Sequence, residues 1–144
     1  MQTILRTLAI CIAGLLVTAA QAASWTDNYP SAVAQAKKEH KLLLLDFTGS
    51  DWCIWCQRMD KDVFATKKFS EFADQNLVLV MLDFPQSHAL RTEVASQNAA
   101  LQQKYAVDGY PTIIVLDPDE KVVFTQKGYR DGGPDAFLAQ FPKN

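Results

Sequence analysis

Residues 45–56 run Leu45-Asp46-Phe47-Thr48-Gly49-Ser50-Asp51-Trp52-Cys53-Ile54-Trp55-Cys56. The segment closes a continuous apolar run, Lys41 to Phe47, of the kind a central strand shows when both its faces are covered. A short polar loop, Thr48 to Asp51, comes next. Cys56, Met59 and Val63 then recur at i, i+3 and i+7 while Gln57, Arg58, Asp60 and Lys61 face outward, which predicts an amphipathic helix beginning near Cys53. Two thiols therefore stand one helical turn apart at the mouth of a helix. Unpaired backbone N–H groups and the helix dipole stabilise a thiolate there, on the first sulfur. The thiolate is the species that attacks disulfides, so a Cys-x-x-Cys pair in this position points to thiol–disulfide exchange.

Outward from this segment the chain alternates helical and strand patterns. Tyr29, Val33, Ala36 and His40 share one helical face, with Pro30 suited to a first turn, and predict a helix over 30–39. Phe69, Phe72 and Ala73 mark a short helical piece, Leu77 to Asp83 a second buried strand, and Thr92 to Tyr105 a further helix. Gly109-Tyr110-Pro111 breaks the chain. Strands over 112–116 and 122–126 follow, around the turn-forming Asp117-Pro118-Asp119-Glu120, and Gly132-Gly133-Pro134 precedes a last helix carrying Phe137, Leu138 and Phe141. The order α-β-α-β-α-β-β-α predicts one α/β domain, with parallel strands joined by helical crossovers and an antiparallel hairpin at the end.

The first 22 residues have a different character. Arg6 precedes a 13-residue apolar run from Leu8 to Ala20, which leads to small residues around Ala20-Gln21-Ala22. That pattern fits a secretory signal peptide, residues 1–22, and is too short for a membrane-spanning helix, which needs about 20 apolar residues. Residues 23–144 are then the domain. Cleavage leaves 122 residues and removes Arg6 from the 14 basic residues but none of the 16 acidic ones, for a net charge of −3. Nothing in that balance suggests a nucleic-acid partner. Cys11 departs with the signal, so only Cys53 and Cys56 remain, with His40 and His88 as the sole histidines. A structural zinc site needs four ligands, which disfavours a metal reading. A bridge between residues three apart closes a very small loop and stabilises a fold less than a long-range one, which disfavours a purely structural staple.

The element order, with Trp-Cys-x-x-Cys after the first apolar strand and an isolated Tyr110-Pro111 before the hairpin, resembles the thioredoxin-like superfamily across essentially all of residues 25–144. Within it the 45–56 segment is most similar to exported bacterial proteins. The resemblance implies a thioredoxin-like fold, a central mixed β-sheet flanked by helices in a single domain. It implies that Cys53 is the exposed nucleophile and Cys56 the more buried resolving thiol, the two cycling through a disulfide. It matches Pro111 to a cis-proline facing the site, with the backbone of Tyr110 presented to a substrate strand. It makes Trp52 a shield for the thiols and a contact for substrate. It also equates Asp46 with a buried acid that assists proton transfer to and from the resolving cysteine, although one extra residue separates Asp46 from the motif.

Other departures bear on specificity. Ile54-Trp55 places neither proline nor histidine between the cysteines, and without a histidine to stabilise the thiolate a reductase or a mild exchanger is favoured over a strong oxidant. Extra length around 84–91 forms either a specificity surface or a solvated loop. Asp51 is expected to be an ordinary solvated loop residue, Trp25 and Tyr29 to cover the core, and Lys37-Lys38 and Lys67-Lys68 to be solvated faces. Together these imply an exported, periplasmic or otherwise extracytoplasmic thiol–disulfide oxidoreductase acting on protein thiols and disulfides. It would be monomeric, need no metal or organic cofactor, and be recycled by a membrane redox partner. Two other classes fit the same residues: a redox-switched binding module that docks a partner through Trp52 and Tyr110, and an accessory that serves apo-metalloproteins or cytochrome maturation.

Overall fold

The structure, a computed structural model, describes residues 24–142; the expected signal segment, residues 1–22, lies outside them. The first helix, α1 (Tyr29–Glu39), starts where the Asn28 side chain accepts a hydrogen bond from Ser31 N–H, with Pro30 in the first turn, and ends at His40 in a left-handed conformation. Its buried face is Ala32 and Ala36. The two apolar runs form the central strands β2 (Leu42–Thr48) and β3 (Leu77–Asp83), paired in parallel from Leu42 opposite Leu77 to Thr48 opposite Asp83. The later strands are β4 (Thr112–Leu116), antiparallel to β2, and β5 (Val122–Lys127), antiparallel to β4. One strand was not expected. A two-residue β1 (Trp25–Thr26) lies parallel to β3 at its outer edge, so the sheet has five strands in the order β1-β3-β2-β4-β5.

Alternation along β2 sends successive side chains to opposite faces and so divides the core in two. Leu43, Leu45 and Phe47 pack with Ala32, Ala36 and with Leu101 of α4 (Thr92–Lys104). Leu44, on the other face, packs with Met59 and Val63, with Phe69 of α3 (Lys67–Asn76) and with Phe137 of α5 (Gly133–Leu138). Each of the buried Leu, Val, Met and Phe side chains contributes about 1.5–3 kcal/mol. Trp25 packs edge-on against Phe64, centroids 5.1 Å apart, so it covers the core as expected. Tyr29 does so too, and its hydroxyl donates to Glu120 at 2.7 Å.

The helix expected to run unbroken from the cysteines past Val63 changes character midway. It is α-helical as α2 (Ile54–Met59) and then widens to a π-helical turn over Asp60–Phe64. The i, i+3, i+7 spacing does not register that change, because Met59 and Val63 remain on the buried side of both pieces. In the finished fold the C-terminal ends of β2 and β3 and the N-terminal end of β4 meet at one edge of the sheet. Thr48 lies opposite Asp83, and Phe47 opposite Thr112. The loop carrying the cysteines, the segment after Asp83 and the Tyr110-Pro111 turn all leave from that edge.

Candidate active site

The chain leaves β2 at Thr48 and turns tightly, with Trp52 N–H and Cys53 N–H both donating to Gly49 O, at 3.3 and 2.8 Å. Cys53 is the residue that caps α2, with extended backbone, and Cys56 N–H donates to its Sγ at 3.2 Å. Cys53 and Cys56 are joined as a disulfide. The expected exposure of Cys53 is corrected here, while Cys56 is the more buried of the pair, as expected. In this oxidised form Cys53 is 6% exposed and Cys56 4%, with the Cys53 sulfur bonded to Cys56 and accepting from its N–H. The exposed groups are their neighbours, Trp52, Ile54 and Trp55, which form an apolar collar around the bridge.

Two aromatic arrangements flank the bridge. On one side Trp52 meets Tyr110 edge-on (centroids 5.9 Å, planes at 85°), and Tyr110 in turn lies against Phe84 at 5.1 Å. The Trp52 indole N–H donates to Phe84 O at 2.8 Å, and Gln102 Nε2 donates to the Tyr110 hydroxyl at 2.9 Å. The Tyr110–Pro111 peptide is cis. On the other side Trp55 stacks on Tyr129 (5.9 Å, 18°), with the Arg58 guanidinium 5.8 Å from one ring and 4.9 Å from the other. Arg58 is also paired with Asp62 and Asp131, both at 3.3 Å, and the Tyr129 hydroxyl donates to Asp62. No spacing in the sequence announces Tyr129 or Asp62, since they reach this surface from two different elements.

Asp46 lies in β2 on the same face as Leu44, hence beneath the helix that carries Cys56 and Met59. It is 5% exposed, and its Oδ1 has no hydrogen-bond partner among the described residues. Burial first, and then the negative fields of Asp60 and Asp83, push its carboxyl up to about 8. The expectation of a buried acid holds, and the extra residue before the motif does not take it to the surface. Asp60 and Asp83 were not anticipated; only the folded sheet and the π-turn bring them to bear on Asp46.

Asp51 departs from expectation. Rather than standing free in water, its carboxylate accepts from Gln86 N–H at 3.0 Å, from Ser87 N–H at 2.7 Å and from the Ser87 hydroxyl. The Ser87 hydroxyl, followed by the Gln86 and Ser87 backbone donors, holds the Asp51 carboxyl down to about 2. Ser50 adds two bonds to Asp83, at 2.9 Å from its N–H and 2.6 Å from its hydroxyl. The start of the extra segment is therefore stitched to the cysteine loop, and its remainder borders a groove of about 500 Å³ between Phe84, Leu90 and α4.

Comparison with known proteins agrees with this geometry. A family model described as a thioredoxin-like domain matches residues 29–142. The disulfide bond reductase DsbH of Chlamydia pneumoniae is 34% identical over 114 residues, covering 79% of this chain and 68% of that protein. A solved structure of a DsbH oxidoreductase superimposes with a TM-score of 0.77 at 31% identity, covering 92% of this chain and 91% of the other. The thiol:disulfide interchange protein DsbD 2 of Pseudomonas aeruginosa is 33% identical over 90 residues, which are 60% of this chain but only 13% of that much longer protein. With its mixed five-stranded sheet, its flanking helices and a Cys53–Cys56 bridge at the head of α2, the chain belongs to the thioredoxin-like family of thiol–disulfide oxidoreductases.

Proposed function

We propose that the chain is an exported oxidoreductase that reduces protein disulfides through Cys53 and Cys56. The observation that carries this reading is the bridge at the start of α2, with Cys56 N–H 3.2 Å from Cys53 Sγ and the exposed side chains of Trp52, Ile54 and Trp55 around it. In the dithiol state that donor and the helix end stabilise a Cys53 thiolate. The thiolate attacks one sulfur of a substrate disulfide; that bond breaks, its other sulfur leaves as a thiolate, and a Cys53–substrate disulfide forms. Cys56 gives up its proton and attacks Cys53 Sγ. The mixed disulfide breaks, the second substrate sulfur leaves and is protonated, and the Cys53–Cys56 bridge closes. The substrate has gained two electrons and the enzyme has lost two. Asp46, which titrates close to neutrality, is suited to exchange the Cys56 proton.

The reductase direction is supported by the apolar Ile54-Trp55 pair between the cysteines and by the relative named as a disulfide bond reductase. The 1–22 segment, read as a cleaved signal, supports action outside the cytoplasm, and a membrane redox protein would return the dithiol state. Trp52, Tyr110 and Pro111 are the proposed substrate contacts. Cys53→Ser should abolish reduction of insulin disulfides, and Cys56→Ser should accumulate mixed disulfides that dithiothreitol releases. An active Cys53→Ser protein would refute the assignment.

A further inference from the structure

The cysteine loop and the segment after β3 are joined by a continuous series of hydrogen bonds. Phe84 N–H donates to Thr48 O at 2.8 Å, Trp52 Nε1 donates to Phe84 O, and Ser50 holds the Asp83 carboxylate. One residue further along, the Asp51 carboxylate takes both backbone donors of Gln86 and Ser87 and the Ser87 hydroxyl. Phe84 is thus fixed on both sides, from Asp83 and from Gln86. Residues 84–91 form no helix or strand, so beyond the bonds of Phe84's own N–H to Thr48 and of its carbonyl to Trp52, the Asp51 clamp on Gln86 and Ser87 is what ties the following turn to the cysteine loop. The Phe84 ring lies against Tyr110, and Tyr110 against Trp52, the residue directly before Cys53. The three rings make one continuous wall beside the bridge, with Trp52 42% exposed at its near end. Bonds from backbone N–H to an ionised carboxylate are among the stronger ones a loop can use, and the Asp51 carboxylate takes two of them from this turn, with His88 Nδ1 3.8 Å away on the same side.

We propose that Asp51 is a positioning residue for substrate choice: by clamping the Gln86–Ser87 turn it holds Phe84 against Tyr110 and Trp52, and the resulting wall favours disulfides whose cysteine is flanked by an aromatic or branched aliphatic side chain. The proposal rests on the reading of Cys53 as the attacking sulfur. Asp51 touches neither sulfur and acts only through Phe84.

Two peptides with the same disulfide, one with Phe beside the cysteine and one with Ser, together with bis(2-hydroxyethyl) disulfide as a substrate too small to reach the wall, test it. The wild-type protein should prefer the Phe peptide in kcat/KM by about tenfold. Asp51→Ala should remove most of that preference through KM, leaving kcat and the rate on the small disulfide unchanged. Asp51→Asn keeps one acceptor oxygen and should restore part of the preference. Ser87→Ala loses the hydroxyl contacts to Asp51 and to His88 Nδ1 but keeps both backbone donors on Asp51, and should give an intermediate value; it carries the test if Asp51→Ala does not fold. Phe84→Ala should erase the preference, and adding Asp51→Ala to it should change nothing more. Retained preference in Asp51→Ala, additive losses in the double variant, or an equal loss on the small disulfide would each overturn the proposal. If Cys53→Ser is inactive while the wild type treats the two peptides alike, this inference alone fails. If Cys53→Ser is active, the reading beneath it fails.

Discussion

A carboxyl group in the apolar middle of a sheet is stable only in its neutral form unless a donor or a cation meets it. Asp46 is buried with no donor at Oδ1 among the described residues, and Asp60 and Asp83 add negative field, so in the folded protein it keeps its proton to about pH 8 against an ordinary value of 3.8. Between those two values the folded chain holds one proton more than the unfolded chain. Raising the pH through that window therefore favours unfolding, by roughly 1.4 kcal/mol per pH unit, until the folded group itself ionises. Guanidinium unfolding of the oxidised protein should show stability falling from about pH 4 to about pH 8 and levelling above it. Asp46→Asn should flatten the profile, and parallel profiles for the two proteins would overturn this account. The same variant should reduce insulin more slowly, by roughly tenfold or more, if Asp46 has the proposed role of exchanging a proton with Cys56, and an unchanged rate would remove that role. Stability gained above neutrality together with activity lost is the pattern of an acid kept for chemistry.

At the level of elements, the turn between β2 and α2 depends on one close approach. A Cβ placed on Gly49 would lie 2.5 Å from Trp52 Cε2 and 2.7 Å from Nε1. The indole cannot simply swing aside, since its N–H is bonded to Phe84 O and its ring abuts Tyr110. Gly49→Ala should therefore destabilise the protein by about 1–3 kcal/mol. It should also raise KM for insulin, because the ring nearest Cys53 is displaced; thermal melts and steady-state kinetics give both readings, and an unchanged KM would separate the turn from the substrate surface. How much of this was legible in the sequence differs from element to element. The strands β2 and β3 were, because both faces are covered and KLLLLDF and LVLVMLD leave no polar interruption except Asp46 and the terminal Asp83. So was the head of α2, from the cysteine spacing. The two-residue β1 was not, since Trp25-Thr26 is too short to carry a period and exists only because β3 offers an edge. The clamp at Asp51 was not either: its partners Gln86 and Ser87 lie 35 and 36 residues away, and an acid in a polar loop has the same local pattern whether it binds water or backbone.

For the molecule as a whole, folding and disulfide exchange share one thermodynamic cycle. The difference in unfolding free energy between the bridged and the open protein equals the amount by which the fold shifts the Cys53–Cys56 equilibrium away from that of the unfolded chain. A strong oxidant is a protein whose reduced form is the more stable, and a reductant is the reverse. Two terms compete here. The end of α2 and the Cys56 N–H stabilise a thiolate and hence the reduced form. Their neighbours add little: the residues between the cysteines are Ile54 and Trp55, and the nearby cation Arg58 is already committed to Asp62 and Asp131 and lies over two rings. Against them stands the closed loop, whose entropy favours the bridged form by roughly 2 kcal/mol even at this small size. The balance predicts an oxidised protein more stable than its reduced form by about 1–2 kcal/mol, with the two cores intact in both. Paired guanidinium titrations with and without dithiothreitol measure it directly. A reduced form more stable by the same margin would make the protein a disulfide donor, reversing the proposed direction while leaving the exchange chemistry as it stands. Loss of the fold on reduction would instead make the bridge a staple, which a loop this small, at the edge of a sheet held by two separate cores, has no leverage to be.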